Sequence, residues 1–117
     1  MNLDSETTFD AFLGGRLTLQ QPAKGYRAGI DPVLLAAAVR AKAGQSVLEL
    51  GCGTGAALLC LATRVLGLAL HGVEIQNNYA NICRANATAN SIDATIWTAD
   101  LRDLPTVLRG LSFDHVM

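Results

Sequence analysis

A glycine-rich turn is the feature of the sequence that most clearly predicts chemistry. Gly51, Gly53 and Gly55 alternate directly after the apolar run Val47–Leu50, and an apolar helical stretch begins at Ala56. Glycine adopts positive φ readily and has no Cβ, so a flat or charged ligand can approach its backbone closely. The N–H groups at the start of the following helix point towards such a ligand. The turn therefore predicts a site for a nucleotide-like ligand, and a purely structural turn is the alternative.

Three acidic residues lie near this turn in the predicted arrangement. Glu49 precedes Gly51 by two positions, Glu74 ends the next apolar run, and Asp100 follows the third. An acid at the end of the second strand can accept hydrogen bonds from both hydroxyls of a ribose. Gly51, Gly53 and Ala56 also satisfy the looser GxGxxG/A pattern of dinucleotide-binding proteins. Spacing alone leaves the ligand open, and ordinary surface or loop acids are the alternative for Glu74 and Asp100.

Alternating strands and helices must position these residues. Short apolar runs predict four strands, at Val47–Leu50, Ala69–Glu74, Ala94–Trp97 and Phe113–Met117. The segments between them predict helices at Ala56–Leu66, Asn78–Asn90 and Thr106–Arg109. Strands joined by helical crossovers form a mainly parallel sheet with right-handed connections. We expect an α/β fold, a Rossmann-like doubly wound half sheet of order 3-2-1-4, with the ligand beyond the carboxyl ends of the first two strands.

The chain divides into an N-terminal segment, residues 1–45, and the half sheet, residues 46–117. Alternating polar and apolar residues predict one short strand over Arg16–Gln20. Asp31 and Pro32 predict the start of a helix with Asp31 as its N-cap, and Val33–Val39 supplies the apolar body.

Composition excludes several classes of protein. Half of the 117 residues are hydrophobic, which fits one compact domain and excludes a disordered chain. No apolar run approaches the ~18 residues that cross a bilayer, and the polar, acidic start lacks the features of a signal peptide. We therefore expect a cytoplasmic protein without a membrane segment. Three cysteines without a CxxC pair argue against disulfides and a zinc site, so Cys52, Cys60 and Cys83 are expected to be small buried residues.

Charge gives a weaker indication of a partner. The formal net charge of −1 provides no overall attraction to nucleic acid. One stretch is nevertheless basic, with Asp31 as its single acid and the cations Arg16, Lys24, Arg27, Arg40 and Lys42. This excess could contact phosphates, and a solvated surface strip is the alternative.

The glycine turn, Glu49, Glu74 and Asp100 together resemble the Rossmann-like S-adenosylmethionine-dependent methyltransferases. The resemblance implies that Glu74 binds the ribose hydroxyls, that Asp100 accepts from the adenine amine, and that Glu49 steadies the turn or the methionine ammonium. The backbone of Leu101 would contact the adenine ring, and Ile75 would pack on one of its faces.

The segment Gly25-Tyr26-Arg27-Ala28-Gly29-Ile30-Asp31-Pro32 narrows the resemblance. Together with the later turn, it is similar to the start of the tRNA adenine methyltransferases that modify the base beside the anticodon of valine tRNA. In that family, the loop matching Tyr26–Asp31 closes over the methionine end of the cofactor, and tRNA is the substrate. The cofactor-binding set implied is Arg27, Asp31, Glu49, Gly51, Cys52, Gly53, Gly55, Glu74, Ile75, Asp100 and Leu101.

The same family places an Asn-Pro-Pro-Tyr motif directly after the strand equivalent to Phe113–Met117. That motif holds the target amine and stacks on a base swung out of the RNA. We therefore expect the chain to be the cofactor-binding half, truncated before its catalytic residues, to bind cofactor without methylating RNA, and to self-associate through its fourth strand. An NAD-binding oxidoreductase fragment and a non-catalytic interaction module remain alternatives.

Overall fold

The computed structural model describes residues 6–25 and 27–117. The strands of this part of the chain are β1 (Thr7–Phe12), β2 (Leu17–Pro22), β3 (Ser46–Leu50), β4 (Ala69–Glu74), β5 (Ala94–Thr98) and β6 (His115–Val116). The helices are α1 (Asp31–Ala38), α2 (Ala56–Arg64), α3 (Asn77–Ala89) and α4 (Thr106–Arg109). Tyr26, which the sequence resemblance places in the cofactor loop, lies outside the described residues.

Strands β3 to β6 form one parallel sheet in the order β5-β4-β3-β6. Counted from β3, this is the predicted order 3-2-1-4, so the prediction of a Rossmann-like half sheet is confirmed. Residues Leu58, Leu59 and Leu61 of α2 are fully buried in the main core. Leu48, Val73 and Leu108 form a smaller apolar cluster with Trp97 and Phe113. β6 lies at one edge of the described sheet, and self-association through it stays a prediction.

The N-terminal segment contains a hairpin, whereas the sequence predicted a single strand. β1 pairs with β2 in antiparallel register from Thr7 with Pro22 to Phe12 with Leu17. β1 was missed because its alternation is weak, and Phe9 is largely exposed. β2, by contrast, buries Leu17 and Leu19 in the same core as the parallel sheet. The hairpin and the half sheet therefore share one hydrophobic core.

The prediction that Asp31 is an N-cap is wrong. The helix begins at Asp31 itself, the capping position is Ile30, and no side chain caps the helix start. The helical backbone at Ile30 moves the helix boundary one residue earlier than the Asp-Pro pair suggests. Asp31 thus lies in the first turn, where a carboxylate interacts favourably with the helix dipole.

Within the described ranges, 6–25 and 27–117, no helix has the length and apolar character needed to span a membrane. The same residues contain no cluster of three or more His, Cys, Asp or Glu side chains arranged for a metal ion. As predicted, Cys52, Cys60 and Cys83 are buried, and each is a free thiol.

Candidate functional site

The glycine turn leaves the sheet at the end of β3 and folds onto the end of β4. Both Gly51 and Cys52 donate their backbone N–H groups to the carbonyl of Val73, at 2.8 and 2.9 Å. Gly51, Gly53 and Gly55 have φ values of 74°, 55° and 98°, in the left-handed region that other residues adopt only with strain. The backbone of the turn is therefore possible because glycine occupies these positions.

The three glycines of the turn serve different purposes. A Cβ added at Gly51 or Gly53 would meet no described heavy atom within 4 Å, apart from chain neighbours. At Gly55 it would lie 2.8 Å from Cys83 Sγ and 3.2 Å from Leu59 Cδ1. Gly55 is thus needed for packing against α2 and α3, while Gly51 and Gly53 leave uncovered backbone. The sequence alone treated all three as ligand-facing.

A cavity of about 310 Å³ lies against the uncovered part of the turn. Its volume is at the lower end of the range for small-molecule sites, roughly 300 to 1,000 Å³. The beginnings of α1 and α2 and the end of β3 complete the wall, which consists of Asp31, Pro32, Leu35, Glu49, Gly51, Cys52, Gly53, Thr54, Ala56 and Ala57. Asp31, Glu49, Gly51, Cys52 and Gly53 of the predicted cofactor-binding set thus come together in one cavity.

Glu49 gives this cavity an unusual carboxyl group. The side chain is only 7% exposed, and its Oε1 atom has no hydrogen-bond partner within the described chain. Burial raises the pKa of Glu49 to about 8, the nearby Glu74 carboxylate adds to this rise, and the backbone N–H of Leu58 opposes it. A buried carboxylate is stable only when it is paired, so a cationic ligand group would satisfy Glu49.

Glu74 is bound to the turn itself. Its Oε1 accepts a hydrogen bond from the backbone N–H of Gly53, and its Oε2 accepts one from the N–H of Gln76, both at 2.9 Å. Each carboxylate oxygen can accept a further bond. Glu74 therefore positions the turn and retains acceptor capacity for a hydroxyl group, and only the second of these roles was expected from the sequence.

Exposed apolar side chains follow the carboxyl ends of β4 and β5. Ile75 is 60% exposed and Leu101 is 52% exposed, although neither lines the cavity. Asp100 lies beside Leu101 and forms an ion pair with Arg102, with an Oδ2–Nη2 distance of 2.7 Å. The hydrogen bonds from Arg102 lower the pKa of Asp100 and so favour the ionised form of this carboxyl group.

Arg27 has a different environment from the one that the resemblance implies. Its guanidinium contacts the hairpin, donating to Asp10 Oδ2 and the Pro22 carbonyl at 2.9 Å and to Thr8 Oγ1 at 2.7 Å. It does not line the cavity. Thr8 and Asp10 are distant from Arg27 in the sequence, so no local pattern could indicate these two contacts.

Comparison with known proteins identifies relatives of this arrangement. Residues 47–117 match the family model described as a methyltransferase domain. The tRNA1(Val) (adenine(37)-N6)-methyltransferase of Porphyromonas gingivalis is 36% identical over 116 residues. That alignment covers 92% of this chain and 46% of the relative, so the chain spans about half the length of the curated protein that it matches.

Solved structures share the fold at lower identity. One is the Thermus thermophilus 16S rRNA N2 methyltransferase in complex with AdoMet and guanosine, with a TM-score of 0.73 at 24% identity. The matched region covers 95% of this chain and 31% of the T. thermophilus chain. Another is the Pyrococcus abyssi tRNA uracil-54 methyltransferase in complex with S-adenosyl-L-homocysteine, with a TM-score of 0.71 at 20% identity. Here the matched region covers 96% of this chain and 27% of the P. abyssi chain. The fold and the match over residues 47–117 show that this chain belongs to the methyltransferase domain family.

Proposed function

We propose that this chain binds S-adenosylmethionine and forms the cofactor-binding part of a methyltransferase that acts on the exocyclic amine of adenine in tRNA. The observation that carries the proposal is the cavity at the glycine turn, which combines open backbone at Gly51 and Gly53 with two carboxyl groups, Asp31 and Glu49. S-Adenosylmethionine has an ammonium group at one end and a nucleoside at the other. It therefore requires carboxyl groups to pair with the ammonium and open backbone that the rest of the ligand can approach closely.

The ammonium end fits the acidic wall of the cavity. Glu49 has a buried oxygen without a hydrogen-bond partner in the described part of the protein, and an ammonium group would supply the missing donor and charge. Asp31 offers a second carboxylate from the start of α1. We assign Asp31 and Glu49 to the methionine end, with Gly51, Cys52 and Gly53 providing backbone around the ligand.

The nucleoside end fits the surface at the carboxyl ends of β4 and β5. Glu74 is fixed by Gly53 and Gln76 and can accept from the ribose hydroxyls. The exposed Ile75 and Leu101 offer apolar contact for the adenine ring. Asp100 is paired with the exposed Arg102, and its carboxylate oxygens can accept a further bond from the adenine amine. We assign Gly55 to packing, because it lies against neighbouring side chains of the core. We assign Arg27 to the hairpin, because its guanidinium pairs with Asp10.

When bound, the cofactor supplies an electrophilic methyl group. The assigned residues bind and orient it, and none of the described cavity residues is assigned to holding a target base. We therefore propose that the 117-residue chain binds the cofactor without transferring the methyl group. The assignment of tRNA adenine as acceptor is supported by the relative from P. gingivalis, and such a substrate would be met in the cytoplasm.

Isothermal titration calorimetry with S-adenosylhomocysteine tests the cofactor assignment, with NADH as the competing ligand. We expect saturable binding of S-adenosylhomocysteine and none of NADH. Asp93→Ala is a matched control, since Asp93 is exposed at the amino end of β5, away from the carboxyl ends of the strands. Binding of NADH but not of S-adenosylhomocysteine would overturn the proposal in favour of an oxidoreductase.

A further inference from the structure

Asn86, on the buried side of α3, connects three separate segments of the chain. Its Oδ1 accepts from the backbone N–H of Gln20 at 2.7 Å, and its Nδ2 donates to the carbonyls of Gln20 and Thr54, both at 2.9 Å. The residue is only 2% exposed, so water has little access to replace these contacts. Its amide thus bridges the hairpin strand β2 and the glycine turn.

Asn90, one helical turn later, binds only the hairpin strand and its own helix. Its Oδ1 accepts from the N–H of Thr18 at 3.1 Å, and its Nδ2 donates to the carbonyl of Thr18 at 2.8 Å. The same Nδ2 contacts the carbonyl of Asn86. The two asparagines therefore bind alternate residues of β2 as a neighbouring strand would, but only Asn86 also reaches the turn.

The hairpin also contacts the segment that leads to the α1 side of the cavity. Gln21 is buried, and its Oε1 accepts from the backbone N–H of Ala28 at 2.6 Å. The segment fixed in this way leads directly to Asp31, which lines the cavity. The hairpin is thus linked to the turn through Asn86 and to the start of α1 through Gln21.

We propose that Asn86 is a positioning residue that couples the N-terminal hairpin to the glycine turn, so that docking of the hairpin strengthens binding of S-adenosylmethionine. This inference rests on the proposed cofactor-binding function. Thr54 lies between two glycines with positive φ, and glycine has the largest conformational freedom to lose on ordering. A buried hydrogen bond to the Thr54 carbonyl restricts that freedom before the ligand arrives, which reduces the ordering that binding itself must accomplish.

Two matched variants separate this role from simple docking of the hairpin. Asn86→Ala and Asn90→Ala each remove a pair of bonds to β2, but only Asn86→Ala removes the bond to Thr54. We expect Asn86→Ala to raise the dissociation constant of S-adenosylhomocysteine about tenfold, as expected for one buried hydrogen bond, and Asn90→Ala to change it less than twofold. Both should lower the thermal midpoint, which is measured in parallel.

Wild-type protein provides a test that does not depend on variants that fold. Coupling is reciprocal, so a ligand favoured by hairpin docking must slow hairpin opening. In NMR hydrogen exchange, we expect S-adenosylhomocysteine to slow exchange of the Gln20 amide more than that of the Ala69 amide, which bonds to Gln45 at the other end of the sheet. Equal slowing of both amides, or equal affinities of the two variants, would overturn the coupling. Failure of the wild-type protein to bind S-adenosylhomocysteine would instead overturn the proposed function.

Discussion

The carboxylate of Glu74 and the backbone N–H of Gly53 are joined by a hydrogen bond of 2.9 Å. The acid at the end of β4 and the turn after β3 therefore form one unit. A ligand that contacts Glu74 meets a carboxylate whose position is fixed by the turn, and a change at Glu74 alters the turn as well.

We expect Glu74→Ala to weaken binding of S-adenosylhomocysteine by roughly 10- to 100-fold, since hydrogen bonds to charged groups contribute about 1.5 to 3 kcal/mol. Glu74→Gln should be milder, because its amide oxygen can still accept from Gly53. Calorimetric titration of both variants beside Asp93→Ala checks the order. An unchanged affinity in Glu74→Ala would remove Glu74 from the nucleoside site.

Glu49 should make ligand binding depend on pH. Its pKa of about 8 means that the carboxyl group is mostly protonated at pH 6 to 7. An ammonium ligand favours the ionised form, so the affinity for S-adenosylhomocysteine should rise as the pH increases from 6 to 8. Methylthioadenosine has no ammonium group and should show no such rise, and Glu49→Gln should abolish it. Parallel pH profiles for the two ligands would contradict the placement of the ammonium beside Glu49.

Without ligand, the Glu49 carboxyl group should lower the free energy of unfolding as the pH rises, whereas the affinity for ligand rises with pH. The folded pKa of about 8 lies above the ordinary value of 4.5, so the folded chain binds more protons than the unfolded chain between these values. The stabilisation is complete below pH 4.5 and is lost as the pH rises through 8. We expect Glu49→Gln to remove a decline on the order of a few kcal/mol, measured as the free energy of unfolding in urea at a series of pH values. An identical decline in the variant would refute this assignment.

Gly53 and Gly55 should respond differently to alanine. Gly55→Ala places a Cβ against Cys83 and also strains a positive φ, so a loss of stability of roughly 2 to 5 kcal/mol is expected. Gly53→Ala has only the backbone strain, about 1 to 2 kcal/mol, but its methyl group would occupy the surface assigned to the ligand. Urea unfolding and ligand titration should therefore rank the two variants in opposite orders. The same ranking in both measurements would show that the glycines share one role.

Apolar runs and turn residues allowed the half sheet to be predicted, because each buried parallel strand is marked by its own local composition. Ala69–Glu74 and Thr106–Arg109 have the predicted boundaries. The pairing of β1 with β2 could not be predicted in the same way, since the exposed side of Phe9 breaks the expected alternation.

The site was predictable only where a residue's role depends on its position in a strand or turn. Glu49 and Gly53 belong to this group, and both line the cavity. Arg27 and Asn86 owe their roles to partners far away in the sequence, namely Asp10 on the hairpin for one and Thr54 in the turn for the other. Such side-chain contacts exist only after the elements have packed, and residue type alone does not indicate them.

The central position of β3 has a consequence for folding during synthesis. One side of β3 pairs with β4, which follows after a single helix, whereas the other pairs Val47 with His115 near the far end of the sequence. On the ribosome, this second side stays open until β6 has emerged, and such distant pairing forms slowly because a long loop must close. An open strand edge invites pairing with other chains. The nascent protein is therefore most exposed to aggregation after its glycine turn has been made but before β6 has paired with β3.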